Sequence, residues 1–244
     1  MKKIYSGSIL FIIFTLLMGC SSTTETPNRE NNKRITVRKH AKFKTVEGKE
    51  REYIVSSNIR LVDKLDFDFN SQGKLINKGK LSTVKYDKQG FPVETIIYGD
   101  SSRIQNKYTY KYDKNGRRIE SIRYDKAGSP DKKYTYEYDS FGNKIKSTRY
   151  NLLGNVEEYY EYKYDDQGNL LEERWLNPDG ESEYEITYYY DNIGRKAEAR
   201  THDEESGSTY KYEFKYDDSG GIVEEIKYDE GKKVGVIQYV YKYY

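Results

Sequence analysis

A short motif, Tyr-Asp-x-x-Gly, recurs along most of this chain at fixed intervals. The steps between copies alternate between 12 and 14 residues, which gives a period of 26 residues. A repeat of this regularity indicates a structure built by stacking one small unit. The intact copies begin at Tyr86, Tyr112, Tyr124, Tyr138, Tyr164, Tyr190 and Tyr216, and the degenerate copies begin at Tyr98, Tyr150, Leu176, His202 and Tyr228.

Each repeat predicts a strand, a tight turn and a second strand. Between the turns, polar residues alternate with aromatic or β-branched ones, as in KYTYEYD at 133–139, and a period of two fits a strand and not a helix. In the turn, Asp opens a type I turn and Gly takes the left-handed conformation, which leaves a three-residue hairpin loop. A side chain in place of Gly116 or Gly142 is expected to cost on the order of 1 kcal/mol or more.

The loop geometry predicts which residues share a face of the sheet. With Asp113 opposite Arg117 across the loop, the even-numbered residues of both strands lie on one face. We call this the tyrosine face, and it is expected to hold Tyr108, Tyr110, Tyr112, Tyr124, Tyr134, Tyr136, Tyr138, Tyr150, Tyr160, Tyr162, Tyr164, Tyr184, Ile186, Tyr188, Tyr190, Tyr210, Tyr212, Phe214 and Tyr216. A shorter turn at Glu230-Gly231 and a change to odd numbers cancel, which adds Ile237, Tyr239, Tyr241 and Tyr243.

The opposite face is mostly charged or hydroxylated, apart from one small apolar position in each repeat. That position is occupied by Val93, Ile119, Ile145, Leu171, Ala197 and Val223. The stripe is too narrow to support a second packed layer. We therefore predict an all-β fold, an elongated antiparallel meander of about fourteen strands that forms a twisted or curled open sheet and not a closed shell.

The first twenty residues indicate export and lipid anchoring. Two lysines precede an apolar run from Ile9 to Met18, which is typical of a secretory signal and too short for a membrane-spanning helix. The ending Leu17-Met18-Gly19-Cys20 resembles the lipobox of bacterial lipoproteins, in which Cys20 would carry the acyl chains. The polar segment that follows predicts a disordered tether.

These features predict four segments. Residues 1–19 form a lipoprotein signal peptide, 20–33 a disordered tether, 34–85 N-terminal capping hairpins, and 86–244 the repeat sheet. The hairpins at 34–85 are expected to turn at Glu47-Gly48 and within 69–74, and to cover a sheet edge that would otherwise pair with other chains.

Composition and residue usage weigh against several functions. The 42 Lys and Arg residues nearly balance the 40 Asp and Glu residues, so no nucleic-acid partner is predicted. With His40 and His202 as the only histidines, and Cys20 lipidated, we predict no enzyme and no cofactor. Each turn offers one aspartate that caps its own loop, so no metal site is predicted; Asp165-Asp166 and Asp217-Asp218 are the pairs that could be tested for calcium.

A transmembrane barrel is a further alternative, because the strands have a suitable length. A lipid-facing side would need an unbroken apolar band. Charged residues interrupt the more apolar face, namely Arg118, Glu120, Lys144, Lys146, Glu172, Lys196 and Arg200. The sequence therefore favours a protein held at the membrane by its lipid.

Residues 86–232 resemble the Tyr-Asp (YD, or RHS) repeats of bacterial surface and toxin-associated proteins. The segments YTYKYDKNGRRI and YEYKYDDQGNLL carry the resemblance. In the large members of that family, such repeats form β-hairpin strips that coil into a shell around a toxin. Because the repeats here run on to Tyr244, we expect no C-terminal toxin, and the resemblance implies a fold more than a function.

The tyrosine face is the predicted recognition surface. Regular aromatic rings with interleaved Arg and Glu can stack on sugars or hold an extended peptide. The candidate residues are Tyr108, Tyr110, Tyr134, Tyr136, Tyr160, Tyr162, Tyr188 and Tyr212. The sequence predicts a non-enzymatic, lipid-anchored envelope or cell-surface protein with a glycan or protein partner, although rings packed on one another in a structural or self-associating spacer, or a neutralising partner for a toxin, remain alternatives.

Overall fold

The computed structural model describes residues 45–99 and 102–244. These residues form one helix, α1 (Val46–Ser56), and fourteen strands. The strands are β1 (Ile59–Phe69), β2 (Leu75–Tyr86), β3 (Pro92–Tyr98), β4 (Ile104–Tyr112), β5 (Arg118–Tyr124), β6 (Pro130–Tyr138), β7 (Lys144–Asn151), β8 (Val156–Tyr164), β9 (Leu170–Leu176), β10 (Ser182–Tyr190), β11 (Lys196–Asp203), β12 (Thr209–Tyr216), β13 (Ile222–Asp229) and β14 (Lys232–Tyr243). The predicted signal peptide, Cys20 and the tether lie outside the described residues.

The strands form one antiparallel sheet that closes into a barrel. Each strand pairs with the next in the chain, and β1 pairs with β14 from Asp63 opposite Val240 to Phe67 opposite Val236. The predicted all-β meander is confirmed, but the prediction of an open sheet that is not a closed shell is wrong. Strand twist coils a long meander, and pairing its first and last strands satisfies the backbone groups that two free edges would expose.

The turns have the predicted geometry. In the loop after β4, the amide of Asp113 donates to the carbonyl of Arg117 at 2.8 Å, and the amide of Gly116 donates to the carbonyl of Asp113 at 3.0 Å. The Asp113 carboxylate accepts from the amides of Asn115 and Arg117, both at 2.9 Å, and Gly116 has a φ of +78°. The turn aspartates therefore cap their own loops, as the sequence predicted.

A β-bulge follows the turn and changes the predicted register. Tyr112 opposes Arg118, but Lys111 opposes Glu120, so Ile119 is an extra residue in β5. A one-residue shift moves the rest of the strand to the other face. Tyr124 consequently lies opposite Lys107 on the outside, and Tyr150 lies opposite Lys133, so their predicted place on the tyrosine face is wrong.

The same shift occurs after each motif turn of this set. The extra residue is always the small apolar one that the sequence singled out, at Val93, Ile119, Ile145, Leu171, Ala197 and Val223. Such a residue is exposed on the outer wall, as at Val93 and Ile119. The stripe thus marks the bulges and does not pack against a second layer.

The tyrosine face lines the interior of the barrel. Fourteen strands enclose a space too wide for aliphatic side chains to fill, and long Tyr, Arg, Lys and Trp side chains take that role here. The Glu230-Gly231 turn is confirmed, since Asp229 pairs with Lys232, and Ile237 and Tyr239 beyond it are buried. The turn within 69–74 is also confirmed, by a bond from the amide of Asn70 to the carbonyl of Lys74.

Helix α1 closes part of one end of the barrel. Tyr53 and Ile54 are buried in the interior, and Thr45 caps the helix by accepting from the amide of Gly48 at 3.1 Å. The hairpin predicted at Glu47-Gly48 is therefore wrong. A threonine cap followed by an acidic first turn is a helix-start signal that the Glu-Gly pair concealed. The described residues contain no helix with the length and apolarity that a membrane crossing needs.

Candidate functional site

The tyrosine of each motif has a structural role. Its hydroxyl donates to a backbone carbonyl at the start of the preceding strand, twenty residues earlier, where the bulge shifts the register. The bonds of 2.8 Å run from Tyr112 to Pro92, Tyr138 to Arg118, Tyr164 to Lys144, Tyr190 to Leu170 and Tyr216 to Lys196. Tyr244 closes the ring of bonds on the carbonyl of Tyr86 at 2.7 Å.

A second row of tyrosines binds small polar side chains deeper in the barrel. Tyr110 donates to Thr95 Oγ1 at 2.6 Å, and Tyr136 is hydrogen-bonded to Ser121 at 2.7 Å. Below this row the rings pack on one another, with 6.1 Å between the ring centres of Tyr108 and Tyr134. These contacts favour packing as the role of most interior tyrosines.

The eight tyrosines predicted to bind a partner do lie on one face, but that face is the lumen. Five of them are no more than 9% exposed, namely Tyr108, Tyr134, Tyr162, Tyr188 and Tyr212. A macromolecule outside the barrel cannot contact buried rings. Contact between these tyrosines and a ligand that enters the barrel stays a prediction.

Charged side chains also point into the barrel, and the sequence reasoning had treated them as interruptions of an outer face. Arg118, Lys144 and Lys196 occupy equivalent positions one period apart. Lys144 and Lys196 are buried, and burial lowers the pKa of Lys196 to about 8 although Glu173 and Glu225 oppose the shift. The 26-residue spacing of three cations was the signal that could have placed them together.

A cavity of about 550 Å³ opens at the end of the barrel that α1 partly covers, and we call it the mouth cavity. The helix leans toward the far wall, where Lys49 Nζ bonds Asn169 Oδ1 at 3.2 Å and the Tyr53 hydroxyl reaches Asp217 at 3.5 Å. The near side stays open. Its lining is Thr45, Glu47, Gly48, Glu50, Arg51, Gly90, Phe91, Pro92, Tyr112, Asn115, Gly116, Arg117, Arg118, Tyr138, Ser140, Phe141, Gly142 and Lys144.

Two cations lie at the inner side of the mouth cavity against tyrosine rings. The Arg118 guanidinium carbon is 4.2 Å from the ring centre of Tyr110, and Lys144 Nζ is 4.1 Å from that of Tyr162. Both cations also lie within about 6 Å of the Tyr136 ring, at 5.8 and 6.0 Å. Arg118 and Lys144 are therefore neighbours held in place by aromatic rings.

The carboxyl groups of α1 face these cations. Glu47 Oε1 is 3.9 Å from Lys144 Nζ, and Glu50 Oε1 accepts from the Tyr86 hydroxyl at 3.1 Å. Burial raises the pKa of Glu50 to about 7, although nearby Arg118 opposes the shift. At neutral pH Glu50 carries only part of its charge, so the cations outweigh the anions in the cavity.

Aromatic side chains form the rim of the mouth cavity. The rings of Phe91 and Tyr112 are 4.8 Å apart, and the Arg51 guanidinium lies 4.6 Å from the Phe91 ring centre. Phe141 is 65% exposed at a turn position where the neighbouring repeats have Asn115 and Gln167. An exposed phenylalanine in an otherwise polar series was the sequence signal for this rim, and the sequence reasoning missed it.

The outer wall carries pairs of opposite charge that repeat with the strands. Lys111 and Glu120 are 2.6 Å apart, and equivalent pairs join Lys163 to Glu172 at 2.7 Å and Lys215 to Glu224 at 2.8 Å. This pattern interrupts the apolar band that a lipid-facing wall requires. His202 is half exposed beside Glu204, and within 45–99 and 102–244 no three potential metal ligands cluster.

Comparison with known proteins gives only distant likenesses. No protein-family profile and no curated protein matches the chain. A porin-like protein from Bacteroides uniformis is 13% identical, with 75% of this chain and 96% of that chain covered and a TM-score of 0.44. A Photorhabdus luminescens Tc holotoxin pore is 17% identical over 70% of this chain and 9% of that one, with a TM-score of 0.34.

A LolA-superfamily protein from Nitrosomonas europaea is a third similar structure. It is 10% identical, with 80% of this chain and 91% of that chain covered and a TM-score of 0.33. Scores and identities this low carry no argument about function. The relation to Tyr-Asp repeat proteins stays a resemblance, and the function has to be argued from the mouth cavity itself.

Proposed function

We propose that this chain is a non-enzymatic, lipid-anchored envelope protein that binds a small ligand in the mouth cavity. The cavity carries the proposal. Its volume of about 550 Å³ lies within the range of roughly 300 to 1,000 Å³ that is usual for small-molecule sites. Its lining combines aromatic rings with a few converging charges, which is the usual make-up of such a site.

The closed barrel favours this function over an external partner or a spacer. A glycan or peptide laid along the tyrosine face would have to displace the packed interior. Self-association through sheet edges would need a free strand, whereas β1 and β14 pair with each other. No contact in the described residues favours a toxin-neutralising role.

Blocking the cavity tests the binding function. Ser140 is an exposed turn residue at the rim, and Asn192 is its equivalent two repeats later and outside the lining. The full-length protein in detergent micelles would be screened by thermal shift against sugars, amino acids, nucleotides and organic acids. We expect a ligand that stabilises the wild type and Asn192→Trp but not Ser140→Trp; no stabilising compound, or equal responses of both variants, would contradict the proposal.

The anchor is tested separately in cells. Cys20→Ala is expected to abolish labelling by radioactive palmitate and to move the protein from the membrane fraction to the soluble fraction. Replacing the neighbouring Ser21 with Ala provides the control. Unchanged labelling of the Cys20→Ala variant would show that the lipid-anchor assignment is wrong.

A further inference from the structure

The charges of the mouth cavity are unbalanced toward the positive. The lining holds Arg51, Arg117, Arg118 and Lys144 against Glu47 and Glu50. Arg117 is neutralised outside the lining, because its Nε lies 2.8 Å from Asp113. Three cations then face two carboxyl groups, and the raised pKa of Glu50 reduces its share at neutral pH.

The two inner cations are positioned to receive an anion. Lys144 is only 5% exposed, and the distance of 3.9 Å to Glu47 is longer than a direct hydrogen bond. The Tyr110 and Tyr162 rings hold Arg118 and Lys144 from behind. A carboxylate or phosphate placed between the cations would form charge-assisted bonds without any rearrangement of the barrel.

The cavity also offers an acceptor. Glu47 Oε2 is buried and has no hydrogen-bond partner among the described residues. A buried carboxylate oxygen is costly unless a donor reaches it. A ligand that brings a hydroxyl or amino group beside its anionic group would satisfy this atom.

The aromatic rim supplies a third element of recognition. Phe91, Tyr138 and Phe141 line the same cavity as the charged groups, and Phe141 is largely exposed. Aromatic rings provide flat apolar surfaces for the faces of a bound ring, while polar groups fix its orientation. The three elements together specify a ring with hydroxyl groups and one anionic group.

We infer that the mouth cavity binds a small acidic sugar, with its carboxylate or phosphate between Arg118 and Lys144, a hydroxyl on Glu47 and its ring against the rim. The inference rests on the proposed function and names its ligand class. A cavity of about 550 Å³ holds one or two sugar rings, which limits the ligand to a monosaccharide, a disaccharide or the end of a chain.

The repeat provides matched variants for the test. Lys144 is followed one period later by Leu170 and two periods later by Lys196, and Leu170 is fully buried at that equivalent position. The barrel thus already accommodates leucine there. Lys144→Leu removes a cation from the cavity, and Lys196→Leu removes an equivalent buried cation outside the lining.

Isothermal titration calorimetry on the full-length protein in detergent micelles would compare glucuronate, glucose 6-phosphate, glucose and inorganic phosphate. Both acidic sugars are expected to bind, and glucose and phosphate to bind at least about tenfold more weakly, because each lacks one element of recognition. Lys144→Leu should weaken the acidic sugars by about tenfold or more, and Lys196→Leu should leave them unchanged.

The outcomes separate this inference from the proposed function. Glucose binding as tightly as glucuronate, phosphate alone binding as tightly as the sugar phosphate, or equal losses in the two leucine variants would overturn the acidic-sugar assignment. Absence of binding by both acidic sugars would overturn it as well. In each case, a different compound that the Ser140→Trp variant excludes would leave the cavity as the ligand site.

Discussion

Replacing the tyrosine hydroxyl at one bulge tests whether the ring of bonds to strand carbonyls holds the barrel together. In the ladder between β9 and β10, the last paired residues are Thr187 and Glu172. Beyond that point the Tyr190 hydroxyl donates to the carbonyl of Leu170 at 2.8 Å. Tyr190→Phe removes this bond and keeps the ring.

The expected loss follows from the environment of the carbonyl. A typical hydrogen bond contributes about 0.5 to 1.5 kcal/mol net, and a buried acceptor left without a partner costs about 1 to 3 kcal/mol. Leu170 is 1% exposed as a residue, so little water can replace the hydroxyl. We expect Tyr190→Phe to lower the free energy of unfolding by about 1 to 2 kcal/mol.

Equilibrium unfolding in urea, followed by circular dichroism, measures this loss. Tyr150→Phe is the control, because Tyr150 lies on the outer face opposite Lys133, and it should change stability by less than about 0.5 kcal/mol. Tyr216→Phe, which loses the equivalent bond to Lys196, should reproduce the main result. Equal effects of Tyr190→Phe and Tyr150→Phe would refute a structural role for the motif hydroxyl.

Two further predictions concern α1. Gly90→Ala should destabilise the protein by about 2 kcal/mol or more in urea unfolding, because its Cβ would lie 2.8 Å from the Arg51 carbonyl, whereas Gly128→Ala, with the same left-handed φ and open space, should cost about 1 kcal/mol; equal costs would contradict the helix placement. The raised pKa of Glu50 favours its protonated form in the fold, so its stabilising contribution is present below pH 4.5 and is lost as the pH rises through about 7. Relative to Glu50→Gln, the wild type should lose up to about 3 kcal/mol between pH 4.5 and 8, and parallel pH profiles would show that Glu50 is not buried.

Local structure was predictable wherever one residue had one conformational requirement. Gly116 and Gly142 needed a left-handed φ, and both have one. The two-residue turn at Glu230-Gly231 was predicted from its length, and positive φ values of 46° and 80° match it. These requirements are set by neighbouring backbone atoms, so the sequence carries them directly.

The face of each strand was predictable only as far as the first bulge. Counting from Asp113 placed Tyr108 and Tyr110 on one face, but the extra residue Ile119 moved Tyr124 to the other. A small apolar residue beside a charged one gives no unambiguous bulge signal. Its regular return at the residue after each strand start was the available clue.

The candidate site depended on contacts between distant parts of the chain. The mouth cavity joins Glu47 and Arg51 of α1 to Phe91, Arg118 and Lys144 of the wall. The sequence shows these residues as isolated charges and aromatics. Only the closed sheet brings them to one opening, because the helix seats on the far rim through Asn169 and Asp217 and leaves the near rim uncovered.

The sequence by itself determined the strands, their turns and their number, because alternation and turn chemistry act over a few residues. It did not determine that β1 would pair with β14, since that contact joins residues about 180 positions apart and depends on the twist accumulated over all the strands between them. Closure then decided the function that the tyrosines could have. The face expected to meet a partner became the packed interior, and the uncovered end of the barrel became the site.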